Sequence, residues 1–242
     1  MSIITAHTGC MNTIDNSMES LYEAFKYRCE ATEVDVQITA DEVLVLNHDD
    51  AVTDENDRRL LLKDTVYETL SKTTQKSGLY GIVTVRQFLE EAKGKIAVNL
   101  DVKSTSCILP LTKLVKELRM EAQVMITGCE LDRIIYNREQ GVELRYMFNA
   151  DAVLRKSKEN FSNDSKRAFE DVLRAAVKYG CGGINLNYRS VSAEFTAMAH
   201  AIYMPVCVWT VNAEDDAKNM ISANVDSITT RRPDIIRQLL KL

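Results

Sequence analysis

The stretch KIAVNLDVKSTSCILPLTKLVKELRM, residues 95–120, contains the unit from which the chain is built. Residues 95–103 are typical of a β-strand, and residues 108–120 are typical of an amphipathic helix. The same succession of a strand and a helix recurs before and after this stretch. Eight principal strands are predicted, and they begin near residues 3, 32, 95, 123, 143, 183, 206 and 225.

This alternation determines the expected fold class. Strands that are separated by helices form parallel βαβ units. Eight such units in about 250 residues are typical of a closed (β/α)8 barrel, the TIM barrel. The alternative is a doubly wound open sheet, which usually has fewer strands in a chain of this length. No linker or change of composition divides the sequence, so we expect one α/β barrel domain over residues 1–242.

A polar insertion at about residues 49–81 separates the second predicted strand from its helix. Its polar runs are residues 54–59 and residues 71–78. Long segments that follow barrel strands lie at the C-terminal mouth of the barrel, where active sites form. We therefore expect the insertion to border a functional site. The alternative is a solvated surface loop without a function.

The composition excludes several classes of protein. The chain has 242 residues, of which 45% are hydrophobic and 27% are charged, so intrinsic disorder is excluded. The formal net charge of −5 argues against nonspecific binding of nucleic acid. The apolar stretch at residues 201–209 is too short to be a transmembrane segment, which needs roughly 20 residues. Without an evident secretory signal, we expect a cytoplasmic protein whose six scattered cysteines are reduced.

Acidic residues gather at the ends of neighbouring predicted strands. Glu33 and Asp35 share one strand face, and two carboxylates there repel each other unless a cation lies between them. Asp101 and Lys103 share a face of the third principal strand in the same way. Because oxygen ligands suit Mg²⁺ and Ca²⁺, we predict a divalent cation site. Taken alone, Glu33 and Asp35 could also form a solvated strand face.

Two of the three histidines also lie at strand ends. His7 ends the first strand, His48 follows the short β-rich run at residues 43–47, and His200 lies within a predicted helix. Chemistry converges at the C-terminal face of a barrel, so we expect His7 and His48 to act there and His200 to be structural. Lys103 can hold a phosphate as a point charge. The set predicts a metal-assisted phosphoryl-transfer site.

Short motifs along nearly the whole chain resemble those of the glycerophosphodiester phosphodiesterase family. That family carries His-Arg-Gly, Glu-Asn-Thr, Glu-x-Asp and His-Asp in this order. The corresponding segments here are His7-Thr8-Gly9, Asp15-Asn16-Ser17, Glu33-Val34-Asp35 and His48-Asp49. Later segments that resemble family motifs are residues 99–103, 208–212 and 225–233.

The resemblance implies a TIM-barrel enzyme that converts a glycerophosphodiester into glycerol 3-phosphate and an alcohol. It implies one divalent cation, Mg²⁺ or Ca²⁺, with Glu33, Asp35 and Asp101 as ligands. It also implies that His7 and His48 are a general acid/base pair that acts through a cyclic phosphate. The remaining residues that it associates with substrate or phosphate binding are Lys103, Thr8, Trp209 and Asn16.

Several residues depart from the family pattern. Thr8 replaces an arginine that is expected to grip the phosphate, and threonine cannot supply that charge. Asp15 and Asp101 each stand where the family has the longer glutamate. We hypothesise that the Arg58-Arg59 pair of the insertion compensates for the missing arginine. Trp209 has an alternative role as an aromatic residue of the barrel core.

Two other functions stay open at this point. One is a related lipid phosphodiesterase of similar barrel design, either sphingomyelinase D-like or phosphatidylinositol phospholipase-like. The other is a degenerate barrel that binds a phosphoester without turnover. The missing arginine at position 8 favours the binding-only barrel, whereas the presence of both His7 and His48 argues against it.

Overall fold

The computed structural model describes residues 2–160 and 165–241, which leaves residues 1, 161–164 and 242 outside the described part. The strands in that part include the barrel strands, which alternate with helices, and three short strands of the insertion. In chain order they are β1 (Ile3–Ala6), β2 (Ala31–Ile38), β3 (Leu44–Leu46), β4 (Ala51–Thr53), β5 (Arg59–Leu61), β6 (Ala97–Val102), β7 (Val124–Cys129), β8 (Tyr146–Asn149), β9 (Gly183–Asn187), β10 (Val206–Trp209) and β11 (Ser227–Thr230).

Eight of these strands close into a parallel barrel, so the predicted TIM barrel is confirmed. The barrel closes because β1 pairs with β11 on one side and with β2 on the other. Each predicted strand start lies within about three residues of the observed one. The doubly wound alternative is excluded, since that sheet would be open at both edges.

Helices follow the barrel strands and surround them. In chain order they are α1 (Met18–Lys26), α2 (Tyr67–Leu70), α3 (Val85–Ala92), α4 (Ile108–Glu117), α5 (Leu131–Glu139), α6 (Asp151–Asn160), α7 (Ser165–Tyr179), α8 (Ala193–His200), α9 (Glu214–Ser222) and α10 (Pro233–Leu240). None of the helices within residues 2–160 and 165–241 is both long enough and apolar enough to cross a membrane.

The sequence analysis missed α6, which follows β8 directly. Its sequence DAVLRKSKEN has few apolar residues, so the helical period of hydrophobic positions is weak. Tertiary contacts stabilise it instead, since the Ser157 hydroxyl donates a 3.0 Å hydrogen bond to Asp171 of α7. The sequence also predicts a helix over residues 164–179; residue 164 lies outside the described residues, and α7 is observed from Ser165 to Tyr179.

The insertion after β2 is a small folded unit with its own apolar core. Strand β3 pairs antiparallel with β2, and β4 and β5 form a hairpin. The buried apolar side chains that hold the unit together are Val45, Val52, Leu62, Leu70 and Ile82. The segment is therefore more than a solvated loop. Its polar edge borders a cavity at the barrel mouth.

The two faces of β2 explain how the barrel positions its charged residues. Val34 and Val36 are buried in the main hydrophobic core. Glu33 and Asp35 alternate with them and so point to the opposite face, at the mouth of the barrel. The β2–β6 register pairs Asp35 with Asp101, which brings side chains from distant parts of the sequence next to each other.

Candidate active site

The principal cavity lies at the C-terminal ends of the barrel strands and has a volume of about 390 Å³. His7, Glu33, Asp35, His48 and Asp101 all line it. The structure therefore brings together the two histidines and three carboxylates that the sequence analysis selected. In a TIM barrel this face is where catalytic side chains converge, because each strand delivers its last residues there.

Glu33, Asp35 and Asp101 form one compact carboxylate cluster. Each offers an oxygen atom, and these oxygens all lie within 4.8 Å of one another. Burial, together with the charges of Asp35 and Asp101, raises the pKa of Glu33 well above its usual value. The three carboxylates thus repel one another at a site that is shielded from water. A bound cation would offset this repulsion.

Lys103 lies between two of these carboxylates. Its Nζ atom is 2.7 Å from Asp35 Oδ1 and 2.5 Å from Asp101 Oδ2. Burial alone would lower the pKa of Lys103, but the charges of Asp101 and Asp35 outweigh it and raise the pKa above its usual value. The ammonium group is therefore charged and lines the principal cavity beside the cluster.

Asn16 and Thr8 lie behind the carboxylates, and neither lines the principal cavity. The Asn16 amide nitrogen donates to Asp35 Oδ2 at 2.9 Å, and its Oδ1 accepts the backbone N–H of Asp35 at 3.0 Å. Thr8 is only 1% exposed, and its hydroxyl accepts the backbone N–H of Asn16. Its own N–H donates to Glu33 at 3.4 Å. These contacts suit residues that orient the cluster, and they argue against the predicted direct contact with substrate.

His7 has a defined hydrogen-bonding state. Its Nδ1 atom lies 2.6 Å from the carbonyl oxygen of Thr8. Since a carbonyl oxygen can only accept, Nδ1 carries a hydrogen and donates it. The other ring nitrogen, Nε2, lies 3.8 Å from Glu33 Oε2. Burial is the main cause that lowers the pKa of His7, and the positive charge of Arg231 lowers it further. Neutral His7 therefore has a free lone pair on Nε2.

His48 is exposed, with 70% of its side chain accessible to solvent, and its Nδ1 lies 2.8 Å from Asp49 Oδ1. Hydrogen bonds to the backbone hold this loop in place. The side-chain amides of Gln37 and Asn47 donate to the carbonyl oxygen of Asp49 at 3.0 Å and 2.8 Å. The loop after β3 thus presents the His48 ring at the edge of the principal cavity.

The wall opposite the carboxylates is rich in uncharged polar groups. Asn149 and Trp209 line the principal cavity at the ends of β8 and β10, and Asn185 lines it from the middle of β9. Asn149 Oδ1 and Trp209 Nε1 are buried without a hydrogen-bond partner among the described residues. Trp209 therefore lies in the cavity wall, with a donor left to satisfy. The two asparagines were missed, although the position of Asn149 at the end of its strand is a signal that sequence reasoning could have used.

The hypothesis that the Arg58-Arg59 pair supplies a site arginine is wrong. Arg58 forms a 3.1 Å ion pair with Asp54, and Arg59 pairs with Asp50. Neither arginine lines the principal cavity or the cavity that adjoins it. Hairpin geometry turns both side chains toward carboxylates of the insertion itself. Two arginines that the sequence analysis did not select, Arg133 and Arg231, lie closer to the site.

A second cavity of about 470 Å³ adjoins the first, and we call it the insertion cavity. It lies between the loop after β1 and the insertion, and its lining includes Asp15, Asn16, Lys76 and Arg231. His48 lines both cavities and so stands at the border between them. The expectation that the insertion borders the site is met at this edge.

The fold and the site define a class: a (β/α)8-barrel protein with a candidate cation site and two histidines at its C-terminal mouth. The comparison with known families makes this specific. Residues 7–235 match the profile of the Glycerophosphoryl diester phosphodiesterase family, so the chain belongs to this family of phosphoric diester hydrolases.

Individual relatives agree with this assignment. The chain is 24% identical to the glycerophosphodiester phosphodiesterase of Caldanaerobacter subterraneus subsp. tengcongensis, with 99% of this chain and 98% of that protein covered. A glycerophosphodiester phosphodiesterase structure from Parabacteroides distasonis superposes with a TM-score of 0.79 at 20% identity, over 99% of this chain and 97% of that one. A phosphodiesterase of Oleispira antarctica, solved with the product sn-glycerol 3-phosphate, gives a TM-score of 0.80 at 16% identity, over 100% and 98%.

Proposed function

We propose that this protein hydrolyses glycerophosphodiesters to glycerol 3-phosphate and an alcohol with the help of a divalent cation. The observation that carries the proposal is the meeting of the three carboxylates with His7 and His48 in one cavity. Membership of the family and the names of its relatives support the same reaction. The neighbouring structure from Oleispira antarctica contains the product that this reaction would release.

Glu33, Asp35 and Asp101 are the residues that would hold the cation. Their fit rests on the closely spaced oxygens and on the burial and the neighbouring carboxylates that together raise the pKa of Glu33. An all-oxygen donor set suits Mg²⁺ or Ca²⁺. When bound, such an ion would stabilise the negative charge that develops on the phosphoryl oxygens.

The histidines would move the protons. In the proposed first step, His7 Nε2 accepts the proton of a glycerol hydroxyl while that oxygen attacks phosphorus. His48 donates a proton to the oxygen of the leaving alcohol, and a cyclic phosphate forms. In the second step water opens the ring, with the two histidines in exchanged roles, and glycerol 3-phosphate is released. The hydrogen bond from His7 Nδ1 to Thr8 keeps Nε2 available for this role.

The other residues of the cavity would bind and orient the substrate. Lys103 carries a positive charge beside the cluster and can contact a phosphoryl oxygen. Asn149 and Trp209 have unpartnered polar atoms at the opposite wall, which suit the hydroxyl groups of a glycerol or a head group. The predicted cytoplasmic location and the role in lipid metabolism stay predictions.

The experiment that tests this function measures glycerol 3-phosphate release from a panel of glycerophosphodiesters. The alcohol groups of these diesters are choline, ethanolamine, glycerol and inositol, and each reaction contains Mg²⁺, Ca²⁺ or excess EDTA. We expect release with at least one metal and none with EDTA. Absence of release in every reaction would contradict the proposal and favour a sphingomyelinase D-like or phosphatidylinositol phospholipase-like enzyme, or a binding-only barrel. A His48→Ala variant that binds glycerol 3-phosphate without turnover would exclude binding-only function of the wild type.

A further inference from the structure

A guanidinium group lies next to the end of β1, although no arginine occurs in the His7-Thr8-Gly9 segment itself. Arg231 follows the last barrel strand, β11, whose residue Thr230 pairs with Ala6 of β1. Its side chain forms a fork-to-fork contact with Asp15: Nη1 is 2.7 Å from Oδ1, and Nη2 is 3.0 Å from Oδ2. The backbone N–H of Arg231 donates to Asn212 at 2.9 Å, which fixes the start of the side chain.

The glycine after Thr8 makes room for this contact. A Cβ atom at Gly9 would lie 2.5 Å from Arg231 Nη1 and closer still to Asp15. The guanidinium and the carboxylate are therefore packed directly over the backbone of Gly9. This position is one residue beyond Thr8 and two beyond His7, at the C-terminal mouth of the barrel.

The charge of Arg231 reaches the proposed reaction centre. The carboxylates of Glu33 and Asp35 are among the causes that raise the pKa of Arg231, after its hydrogen bonds and its charge interaction with Asp15. Arg231 in turn contributes to the lowered pKa of His7. Its side chain is 38% exposed and lines the insertion cavity, which shares His48 with the principal cavity.

Arg231 also has donors to spare. A guanidinium has five N–H groups, and Asp15 takes two of them. Asp15 thereby orients the fork without exhausting it. A guanidinium held in this way offers paired N–H donors to phosphate oxygens, which is the contact that neutral side chains such as Thr8 cannot make.

Arg133 is the competing guanidinium, and its surroundings suit it less. It lines the principal cavity, but its two terminal nitrogens donate to the carbonyl oxygens of Gly128 and Lys103. Its Nε atom is buried without a hydrogen-bond partner among the described residues. These contacts brace the loops after β6 and β7. They direct the fork toward the backbone, whereas Arg231 lines the insertion cavity together with His48.

We propose that Arg231 supplies the phosphate-binding guanidinium of this protein, held in place by Asp15. The inference rests on the proposed function in one respect, since it places a phosphoester between His7 and His48. It adds a residue from the opposite end of the sequence to the phosphate contacts. Asp15 is then a positioning residue for Arg231.

The test is the affinity of the full-length, metal-loaded protein for inorganic phosphate and for sn-glycerol 3-phosphate, measured by isothermal titration calorimetry. We expect Arg231→Ala to weaken both affinities about 10- to 100-fold, because a charge-assisted pair of hydrogen bonds is lost. Arg231→Lys keeps the charge without the fork and should fall between this variant and the wild type. Arg232→Ala is the matched control, since Arg232 pairs with Asp234 and should leave both affinities unchanged.

A second variant separates phosphate binding from a purely structural clamp. Asp15→Asn breaks the ion pair but keeps the guanidinium. If Arg231 only joins the segments that follow the first and the last barrel strand, Asp15→Asn and Arg231→Ala will lower the melting temperature equally. Phosphate affinity will then stay unchanged, which overturns the proposal. If Arg231 binds phosphate, Asp15→Asn should retain more affinity than Arg231→Ala. Should Arg231→Ala fail to fold, Arg231→Lys and Asp15→Asn decide between the two cases.

The outcomes also separate this proposal from the proposed function. Phosphate binding that depends on Arg231, without any release of glycerol 3-phosphate from diesters, would support the inference and contradict the function. Diester hydrolysis by the wild type, together with an unchanged phosphate affinity in Arg231→Ala, would support the proposed function and contradict the inference. Loss of affinity in Arg133→Ala with none in Arg231→Ala would assign the role to Arg133 and overturn the proposal, as would the absence of phosphate binding in the wild type.

Discussion

His7 and His48 are held in unlike surroundings, which assigns them different tasks. His7 is largely buried and donates from Nδ1 to a backbone carbonyl, whereas His48 is exposed and contacts the carboxylate of Asp49. A buried neutral ring suits acceptance of a proton in the first step. An exposed ring beside the cavity suits exchange of protons with the leaving alcohol and with water.

We predict that His7→Ala and His48→Ala each lower kcat by about 10²- to 10⁴-fold, the contribution of a positioned acid or base. The matched control is His200→Ala. His200 pairs with Asp226 outside both cavities at the mouth, so its loss should leave kcat unchanged. Steady-state rates of glycerol 3-phosphate release measure all three. Equal activity of His48→Ala and wild type would remove His48 from the mechanism.

Glu33 is expected to lower the stability of the cation-free protein, because it is a buried carboxyl group beside two other carboxylates. We predict that Glu33→Gln raises the melting temperature of the EDTA-treated protein by about 2–4 °C, or about 1 kcal/mol, because it removes a carboxyl whose charged form is disfavoured by burial and by the charges of Asp35 and Asp101. The amide oxygen can still accept the N–H of Thr8. Differential scanning calorimetry measures the shift.

The control for this substitution is Glu68→Gln, which removes an exposed carboxylate of α2 that pairs with Lys72. Its effect on stability should stay within about 0.5 kcal/mol, as for most surface changes. A melting temperature of Glu33→Gln at or below that of the EDTA-treated wild type would contradict the role of repulsion in the cluster.

At the residue scale, sequence reasoning succeeded where spacing alone determines geometry. Glu33 and Asp35 are two positions apart on a strand, so their shared face follows from the strand period. It failed for Arg231 and Asp15, which are 216 residues apart and meet only because the barrel closes. Local spacing also could not show that Asn16 points back to Asp35.

The end of β7 is the element on which the cation site depends most closely. Gly128 has a φ of +71°, and a Cβ there would lie 2.8 Å from Asp101 Oδ1 and closer still to the carbonyl oxygen of Val102. The pairing of β7 with β8 shifts register at this point. The neighbouring Thr127 hydroxyl lies 3.0 Å from Asp101 Oδ1. The strand end thus supports the Asp101 side chain.

We predict that Gly128→Ala destabilises the protein more than Gly94→Ala. Gly94 has nearly the same φ, +73°, but nothing lies within 4 Å of a Cβ at that position. Backbone strain should therefore cost about 1 kcal/mol in both, while the clash at Gly128 adds about 1–3 kcal/mol. Urea unfolding measures both. Equal destabilisation would show that the loop yields without cost.

At the element scale, the limits of sequence reasoning are specific. The eight barrel strands were predicted because short β-rich runs alternate regularly with longer amphipathic helical runs. The hairpin of β4 and β5 was missed because its strands have three residues each and its polar sequence lacks a clear period. Helix α6 was missed for the similar reason that it has few apolar positions.

At the scale of the whole barrel, a cation bound at the proposed site would couple its binding to the stability of the fold. The proposed ligands come from β2 and β6, two paired strands whose register must be intact for the three carboxylates to meet. A cation that binds only the folded chain stabilises it by mass action. The unfolded chain has no such site, because residues 33 and 101 are then far apart.

We predict that Mg²⁺ or Ca²⁺ at about 100 times its dissociation constant raises the melting temperature by about 5–10 °C, since the linkage is worth about 2.7 kcal/mol. Asp101→Asn should lose most of this increase. Excess EDTA should reverse the increase in the wild type. A melting temperature that does not respond to either ion would contradict the cation site.

The central claim is that one cavity performs cation-dependent hydrolysis of a glycerophosphodiester with His7 and His48 as proton carriers. The most direct measurement is phosphorus NMR of the wild-type protein with a glycerophosphodiester and Mg²⁺ or Ca²⁺, because it detects diester, cyclic phosphate and product in one sample. The account predicts that the diester signal gives way to glycerol 3-phosphate, with any cyclic phosphate transient, and that EDTA stops the change. A diester signal that persists with both ions, or that disappears equally fast in EDTA, would contradict this expectation.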